Sequence, residues 1–364
     1  MTQTVLISGA GVAGPTLAYW LARRGLRPTV VERAQGTRSS GNPVDVRGPA
    51  LPVARGMGVL PGLRASATRA TAMRAVDAAG RTLARLPMSR NAEDVEIPRA
   101  DLARVLYEAA REHAEFRFDD TITSLSPDAG GVDVTFDRAP AQRFDLVVGA
   151  DGLHSTVRRL AFPASAVRVE HLGVYVGTLP VVADEDPDVL LYNEPGRLAS
   201  LHPSRDRSLA AFIYRAPAVP DFDHRDVEQH RRLLHAAYAG AGWRVPALLE
   251  QVGTADELYF DAVSRVRMPT WSAGRVTLLG DAASCVSLFG EGSSLAMAGA
   301  YTLASALASA PDLASALRRY EAEHRALTGP RQRHAGRAAT LLIPKTRLGI
   351  AARNVAARTL SRAA

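Results

Sequence analysis

The stretch Thr4-Val-Leu-Ile-Ser8-Gly9-Ala10-Gly11-Val12-Ala13-Gly14, continued through Pro15–Arg24, Gly25 and Pro28–Val31 to Glu32, decides the fold. Thr4–Ser8 is a short apolar run of the kind that forms a buried parallel strand. Pro15–Arg24 reads as a helix stopped by Gly25, and Pro28–Val31 reads as the next strand. The three glycines have separate tasks. Gly9 permits the tight turn, Gly11 lets the backbone approach a pyrophosphate, and Gly14 lets helix and strand pack closely. A diphosphate then rests on the free N–H groups of the helix start, around Val12 and Ala13, and on its positive dipole end. Glu32, followed by Arg33, is placed to accept both hydroxyls of an adenosine ribose. A glycine triplet alone is weak evidence; strand, glycines, helix, second strand and terminal acid within about thirty residues are not. The acid suits NAD or FAD and argues against NADP at this position.

Two further strand-to-turn junctions share this character. Phe144-Asp-Leu-Val-Val-Gly149-Ala-Asp151-Gly152 runs an apolar strand into a Gly/Asp turn, followed by His154-Ser155-Thr156-Val157-Arg158-Arg159. Gly274-Arg-Val-Thr-Leu-Leu-Gly280-Asp281 does the same and leads to Phe289-Gly290-Glu291-Gly292 and a small-residue helix from Ser293 to Ala310. Each junction sets a carboxylate beside backbone donors at a strand's carboxyl end, where ligands bind in open α/β sheets. Either aspartate alone could simply cap a helix.

The rest of the composition narrows the class. With 364 residues, two interleaved or tandem domains are expected. Cys285 is the only cysteine, which excludes a disulfide framework, a multi-cysteine zinc site and a redox dithiol; no metal site is expected. No apolar run approaches the roughly 18 residues of a spanning helix. With no basic leader at the N-terminus, a soluble cytoplasmic protein is expected. The net charge of +7 lies in the tail: residues 313–364 hold eleven basic and two acidic side chains, whereas the remainder holds 33 basic and 35 acidic. With 6% aromatics there is no stacking platform for nucleic acid, and none is expected as partner.

The three motifs together, in this order and spacing, resemble the FAD-dependent aromatic hydroxylases, the class A flavoprotein monooxygenases, over nearly the whole chain. The resemblance implies an α/β fold: a Rossmann-like FAD domain (1–70, 98–165 and 271–330), an inserted β-rich substrate domain (71–97 and 166–270) and a C-terminal helical tail (331–364). It implies that Gly9, Gly11, Val12, Ala13, Gly14, Glu32 and Arg33 hold the ADP half of non-covalent FAD. Asp281 binds the ribityl chain, and Gly280, Gly290 and Gly292 are further cofactor-binding positions. Arg99, in Ile97-Pro98-Arg99-Ala-Asp101-Leu102, contacts the flavin from a helix head, and Asp151 and Gly152 serve both FAD and the pyridine nucleotide. Asp45 and Arg47, in Val44-Asp45-Val46-Arg47-Gly48, meet flavin or substrate and are the catalytic candidates. The implied activity is NADPH- or NADH-driven hydroxylation or oxidative modification of an aromatic or polycyclic, polyketide- or antibiotic-like molecule. Oxygen would be delivered from a flavin C4a-hydroperoxide, with O2 as co-substrate. The chain departs from many relatives at Ser284–Phe289, which holds neither His nor Pro. The alternative is a FAD protein of the same fold with a non-oxygenating role, as cyclase or reductase. Trp20, Trp243 and Trp271 are isolated, so the Trp-x-Trp pair of flavin halogenases is absent. Oligomeric state stays open between monomer and homodimer.

The segments between the motifs read as strands. Met73–Val76 and Arg81–Leu86 flank a hairpin signal, and Leu172–Leu179, Val189–Tyr192 and Leu209–Tyr214 suit a second sheet. Alternation places Phe212 and Tyr214 on one strand face, without saying which face is core. Tyr175, Tyr192, Phe212 and Tyr214 are candidates to line a flat apolar substrate pocket, with ordinary packing as the competing reading. His202 is a candidate polar anchor. In the tail, Leu348, Val355 and Leu360 form a weak apolar stripe expected to pack across the domains or cap the cleft.

Overall fold

The computed structural model describes residues 3–37, 43–68, 70–88, 91, 93–182, 186–203, 207–285 and 291–363, side chains 334–338 and 360–363 excepted. The glycine-rich unit lies at the centre of a six-stranded sheet ordered β17-β18-β11-β1-β2-β7. These strands are β1 (Thr4–Ser8), β2 (Arg27–Glu32), β7 (Glu115–Phe118), β11 (Leu146–Gly149), β17 (Ser272–Ala273) and β18 (Val276–Leu278). All neighbours run parallel except β17 and β18. The unbroken apolar runs of β1 and β11 are buried on both faces, as parallel strands between helices must be. Helix α1 (Ala13–Ala22) packs on α4 (Arg99–Ala110) and α9 (Glu291–Ser309). From β1 the chain passes through α1 to β2 on one side, while β11 and β18 lie on the other. The build direction therefore reverses at β1, and a crevice opens beyond the carboxyl ends of β1 and β11.

Smaller elements flank this core. Strands β8 (Ile122–Pro127), β9 (Val132–Phe136) and β10 (Gln142–Phe144) form an antiparallel side sheet. A two-stranded ribbon pairs β3 (Val44–Val46) with β6 (Val95–Ile97), and short helices α2 (Ala50–Gly56) and α3 (Leu60–Ala65) follow β3.

The second large sheet has seven strands, ordered β16-β12-β15-β14-β13-β4-β5. They are β4 (Ala72–Val76), β5 (Thr82–Pro87), β12 (Arg168–Val181), β13 (Val189–Glu194), β14 (Arg197–His202), β15 (Ser208–Arg215) and β16 (Tyr259–Arg267). One face carries Tyr175, Tyr192, Phe212 and Tyr214, buried with residues of α6 (Val227–Tyr238) and α7 (Val245–Thr254) in one apolar cluster. The aromatic side chains singled out as pocket lining are thus the core beneath two amphipathic helices. The opposite face carries Val174, Leu198, Ile213 and Val263, which pack with Ala339 of α10 (Leu313–Leu342) and with Ile343.

Helices α5 (Thr156–Ala161) and α8 (Asp281–Ser284) begin at the two Gly/Asp turns. α10 runs through Pro330, so a tail boundary at 331 falls inside a helix. α11 (Arg347–Ala363) lies along β5 and reaches β13. Its buried positions include Asn354 and Ala357, whereas Leu348 and Val355 are 80% and 57% exposed. Leu348 and Val355 of the expected apolar stripe are therefore not docked, and the Leu360 side chain lies outside the described residues. Polar contacts fix α11 instead: Arg353 donates to the Asn193 side chain, and Arg358 to the Leu83 carbonyl.

His324 of α10 is buried between Trp271 and Tyr320, close against Gly299 of α9. Neither ring nitrogen has a hydrogen-bond partner among the described residues. Burial pulls its pKa down to about 4, from an ordinary 6.5. The unfolded chain therefore binds this proton at higher pH than the folded one. The stability it allows is full above the unfolded value and falls as pH drops toward the folded value. Between pH 7.5 and pH 5, the wild type should lose several degrees more of melting temperature than His324→Phe, measured by differential scanning fluorimetry. Equal losses would show that His324 does not control this acid sensitivity.

Candidate functional site

A cleft of about 420 Å³ opens where the carboxyl ends of β1, β2, β11 and β18 converge. Its wall gathers Gly9, Gly11, Val12, Ala13, Glu32, Arg33, Arg99, Asp151, Gly152, Gly280, Asp281 and Gly292 from segments spread over most of the chain. Backbone hydrogen bonds fix how the turns leave the sheet: Gly9 N to the Val31 carbonyl, Ala150 N to Ser8, and Leu279 N to Gly149, each 2.8 Å.

The glycine turn is tightly determined. Gly9 has φ +107°, and a β-carbon there would stand 2.5 Å from the Ala150 carbonyl oxygen. A β-carbon on Gly14 would stand 1.9 Å from the Gly9 carbonyl oxygen. Gly14 thus acts by letting α1 approach the turn, and it does not itself line the cleft. Beside Gly11 there is open space, and no side chain caps the start of α1. Bare N–H groups at a helix start, facing an open cleft, form an anion site. At the far end, Glu32 accepts from Ala10 N at 2.8 Å and Ala34 N at 2.9 Å. Those bonds lock its rotamer and leave lone pairs for ribose hydroxyls.

Asp151 accepts from Ser155 Oγ at 2.5 Å and from the N–H groups of Thr156 and Val157 at 2.8 and 3.0 Å. The capping role open to it in the sequence is present, at the start of α5, while the residue also forms cleft wall. Arg158, buried in the next turn, donates to the carbonyls of Leu153 and Ala282. It staples one Gly/Asp turn to the other across the cleft floor. Asp281 opens α8 facing Gly292, where an added β-carbon would meet its Oδ1 at 3.8 Å.

Asp45 and Arg47 stand apart from this wall. Arg47 lines a second cavity of about 280 Å³ together with Glu291 and Arg331. Glu291 accepts from Arg47 Nη2 and from Arg331 Nε, both at 3.0 Å, while Asp45 lies 3.6 Å from Arg47. Gly290 lies outside the described residues. Tyr175, Tyr192, Phe212 and Tyr214 line neither cavity. His202 ends β14 with Nε2 3.0 Å from Ser200 Oγ.

Sequence reasoning missed one group. His154 Nε2 lies 2.9 Å from Asp261 Oδ2, and the His154 ring stacks on His224 at 3.7 Å between centroids and 7° between planes. Burial, then the neighbouring His154, pulls the His224 pKa down to about 4. Tyr259 also faces the cleft, its hydroxyl pKa pushed up by burial and then by Asp261. His154 sits three residues past Asp151, a signal that was available. Nothing in the sequence brings Asp261, 107 positions away, to it.

The chain matches the FAD binding domain family over residues 2–329. It belongs to that family. An uncharacterized protein of Mycobacterium tuberculosis (strain ATCC 25618 / H37Rv) is 40% identical over 295 residues, covering 78% of each chain. A flavin-dependent monooxygenase of Legionella longbeachae is 33% identical over 289 residues, 77% of this chain and 74% of its own. Among solved structures, the tetracycline destructase Tet(51) superposes with a TM-score of 0.89 at 30% identity, covering 99% of this chain and 96% of its own. The protein is a FAD-dependent monooxygenase of the class A type, with the α/β fold of that class.

The cleft fits the cofactor: a bare helix start for the diphosphate, a fixed carboxylate for the ribose, and two Gly/Asp turns for the remainder. Glu32→Ala should weaken FAD binding roughly 10- to 100-fold through loss of charge-assisted hydrogen bonds. Gly14→Ala should cost about 3 kcal/mol of stability through backbone overlap. Both are checked by FAD titration of refolded apoprotein and by thermal melts. Unchanged FAD affinity in Glu32→Ala would remove the carboxylate from the site.

Proposed function

We propose that the substrate is a fused polycyclic phenol of the tetracycline type, and that NADPH or NADH supplies the electrons. The balance is substrate–H plus O2, NAD(P)H and one proton, giving substrate–OH, NAD(P)+ and water. Bound FAD supplies the two-electron redox chemistry and the activation of oxygen. The chain's own residues bind, orient and shield. The N–H groups at the start of α1 hold the diphosphate, and Glu32 holds the adenosine ribose. Asp281 would hold the ribityl chain and Arg99 would contact the flavin, and the Leu153–Arg158–Ala282 staple keeps the two turns in register. No nucleophile is required, and the polar residues of the cleft serve as ligands for the cofactor.

The observation that carries the substrate class is end-to-end likeness to a tetracycline destructase, across both sheets and the C-terminal helices. That likeness includes the second sheet, which is where substrate groups of a two-domain oxygenase must come from. The alternative, a non-oxygenating FAD protein, has as its support the altered Ser284–Phe289 stretch.

Purified holoenzyme should bleach on anaerobic addition of NADPH. Tetracycline should then accelerate that bleaching at least several-fold and, in air, stimulate oxygen uptake with formation of a product heavier by one oxygen atom. Flavin that bleaches without oxygen entering tetracycline would refute the substrate class. Flavin that is reduced but never consumes oxygen would favour the non-oxygenating reading.

A further inference from the structure

A surface helix of a globular protein ordinarily turns its apolar stripe to the core and its polar groups to water. Helix α11 does the reverse. Leu348, Ala351, Ala352, Val355, Ala356 and Thr359 recur at the three- and four-residue spacing of one helix face. All six are exposed, and none is charged. The side turned to the protein carries Arg353, Asn354 and Ala357, with Arg353 bonded to the Asn193 side chain and the Leu342 carbonyl. Leu341, near the end of α10, adds a further apolar side chain at 67% exposure. Among the described large apolar side chains only Val182 is more exposed than Leu348 and Leu341.

The charge beside this stripe has one sign. Residues 342–364 hold five Lys/Arg and no Asp/Glu. Lys345, just ahead of α11, and Arg347, its first residue, are both exposed. Neither side chain has a hydrogen-bond or ion-pair partner among the described residues. The acids of the sheet edge that α11 covers are already matched: Asp77 with Arg81, and Asp188 with Arg74 and Arg85. In those pairs the guanidiniums of Arg81 and Arg85 are the exposed members and the carboxylates the sheltered ones. An uncharged helix face bordered by cations alone is complementary to a surface that is apolar inside and anionic at its rim.

We propose that the outward stripe of α11 seats on an anionic lipid surface, with Lys345 and Arg347 at the phosphate headgroups and Leu348 and Val355 at the edge of the acyl chains. Helices that lie in the plane of a membrane bind through buried apolar area together with attraction of basic side chains to anionic lipid. Here the apolar part is small, two large side chains among alanines, so the charge selects the surface and a zwitterionic bilayer does not suffice. No helix among the described residues is long and apolar enough to cross a membrane, so α11 rests on it. A second copy of the chain suits the stripe less well. Pairing two such helices about a two-fold axis sets Arg347 and Arg358 against like charges, with no acid on either helix to offset them. The proposal concerns a surface apart from the cofactor cleft and does not depend on the substrate.

The test is flotation of the FAD-loaded full chain with vesicles of phosphatidylcholine alone or with about one third phosphatidylglycerol. Wild type should bind the anionic vesicles roughly tenfold better than the neutral ones and should lose that binding in about 0.5 M salt. The double variant Leu348→Glu/Val355→Glu should bind roughly tenfold more weakly. Its flavin content and melting temperature should match wild type, because both side chains are exposed in the folded protein. The pair Lys345→Gln/Arg347→Gln should reduce the preference for anionic over neutral vesicles. Absence of wild-type binding to anionic vesicles, or equal binding to both compositions, overturns the proposal. Undiminished binding by the glutamate variant also overturns it, because the lipid then sits elsewhere. If that variant melts several degrees lower, the glutamine pair decides, and an unchanged lipid preference there overturns the proposal. Wild-type dimers in sedimentation velocity that the glutamate variant dissolves, with no lipid binding, would give the stripe to a second copy and overturn it as well.

Discussion

Everything in this molecule depends on a short ladder of backbone hydrogen bonds at the carboxyl ends of four parallel strands. Gly9 N to Val31, Ala150 N to Ser8 and Leu279 N to Gly149 hold three turns side by side. Those turns contribute much of the cleft wall. Because the sheet changes its build direction at β1, the turns diverge just enough to leave a crevice between them. The close approach at Gly9 and Gly14 follows from that arrangement: the turn is pressed against Ala150 on one side and α1 on the other, with no room for a side chain.

Around the ladder, polar groups are assigned with little slack. Glu32 and Asp151 each hold backbone donors before any cofactor is considered, which fixes their carboxylates without consuming every lone pair. Arg158 is buried, and burial lowers its pKa, but its two carbonyl partners lie on different turns. A buried guanidinium so placed is expensive to remove and resists any spreading of the floor. Glu291 plays a comparable part outside the cleft, drawing Arg47 and Arg331 together where the ribbon, α9 and α10 meet.

The cofactor half was legible in the sequence because its signals are local. A strand, a glycine turn, a helix start and a terminal acid fall within one βαβ unit, and each Gly/Asp turn directly follows its own strand. The substrate half was legible as strands but not as faces. Alternation at Leu209–Tyr214 defines two sides equally well, and only the placement of α6 and α7 makes Phe212 and Tyr214 core. The same ambiguity hid which face Thr178 and Ser200 take, because their shared row depends on the pairing of β12 with β15 and of β15 with β14. His154 and Asp261 meet by the packing of the seven-stranded sheet against a turn of the six-stranded one, which no spacing encodes. In α11 a weak apolar stripe at Leu348, Val355 and Leu360 was the sequence signal, whereas Arg353 and Arg358 hold the helix through carbonyl and amide contacts.

The most direct measurement of the central claim is a crystal structure of the protein grown with FAD. The account predicts the diphosphate within hydrogen-bond reach of the backbone N–H groups of Gly11–Ala13. It places the adenosine ribose at Glu32 and the ribityl chain beside Asp281. Flavin bound elsewhere, or a diphosphate remote from the start of α1, would contradict it.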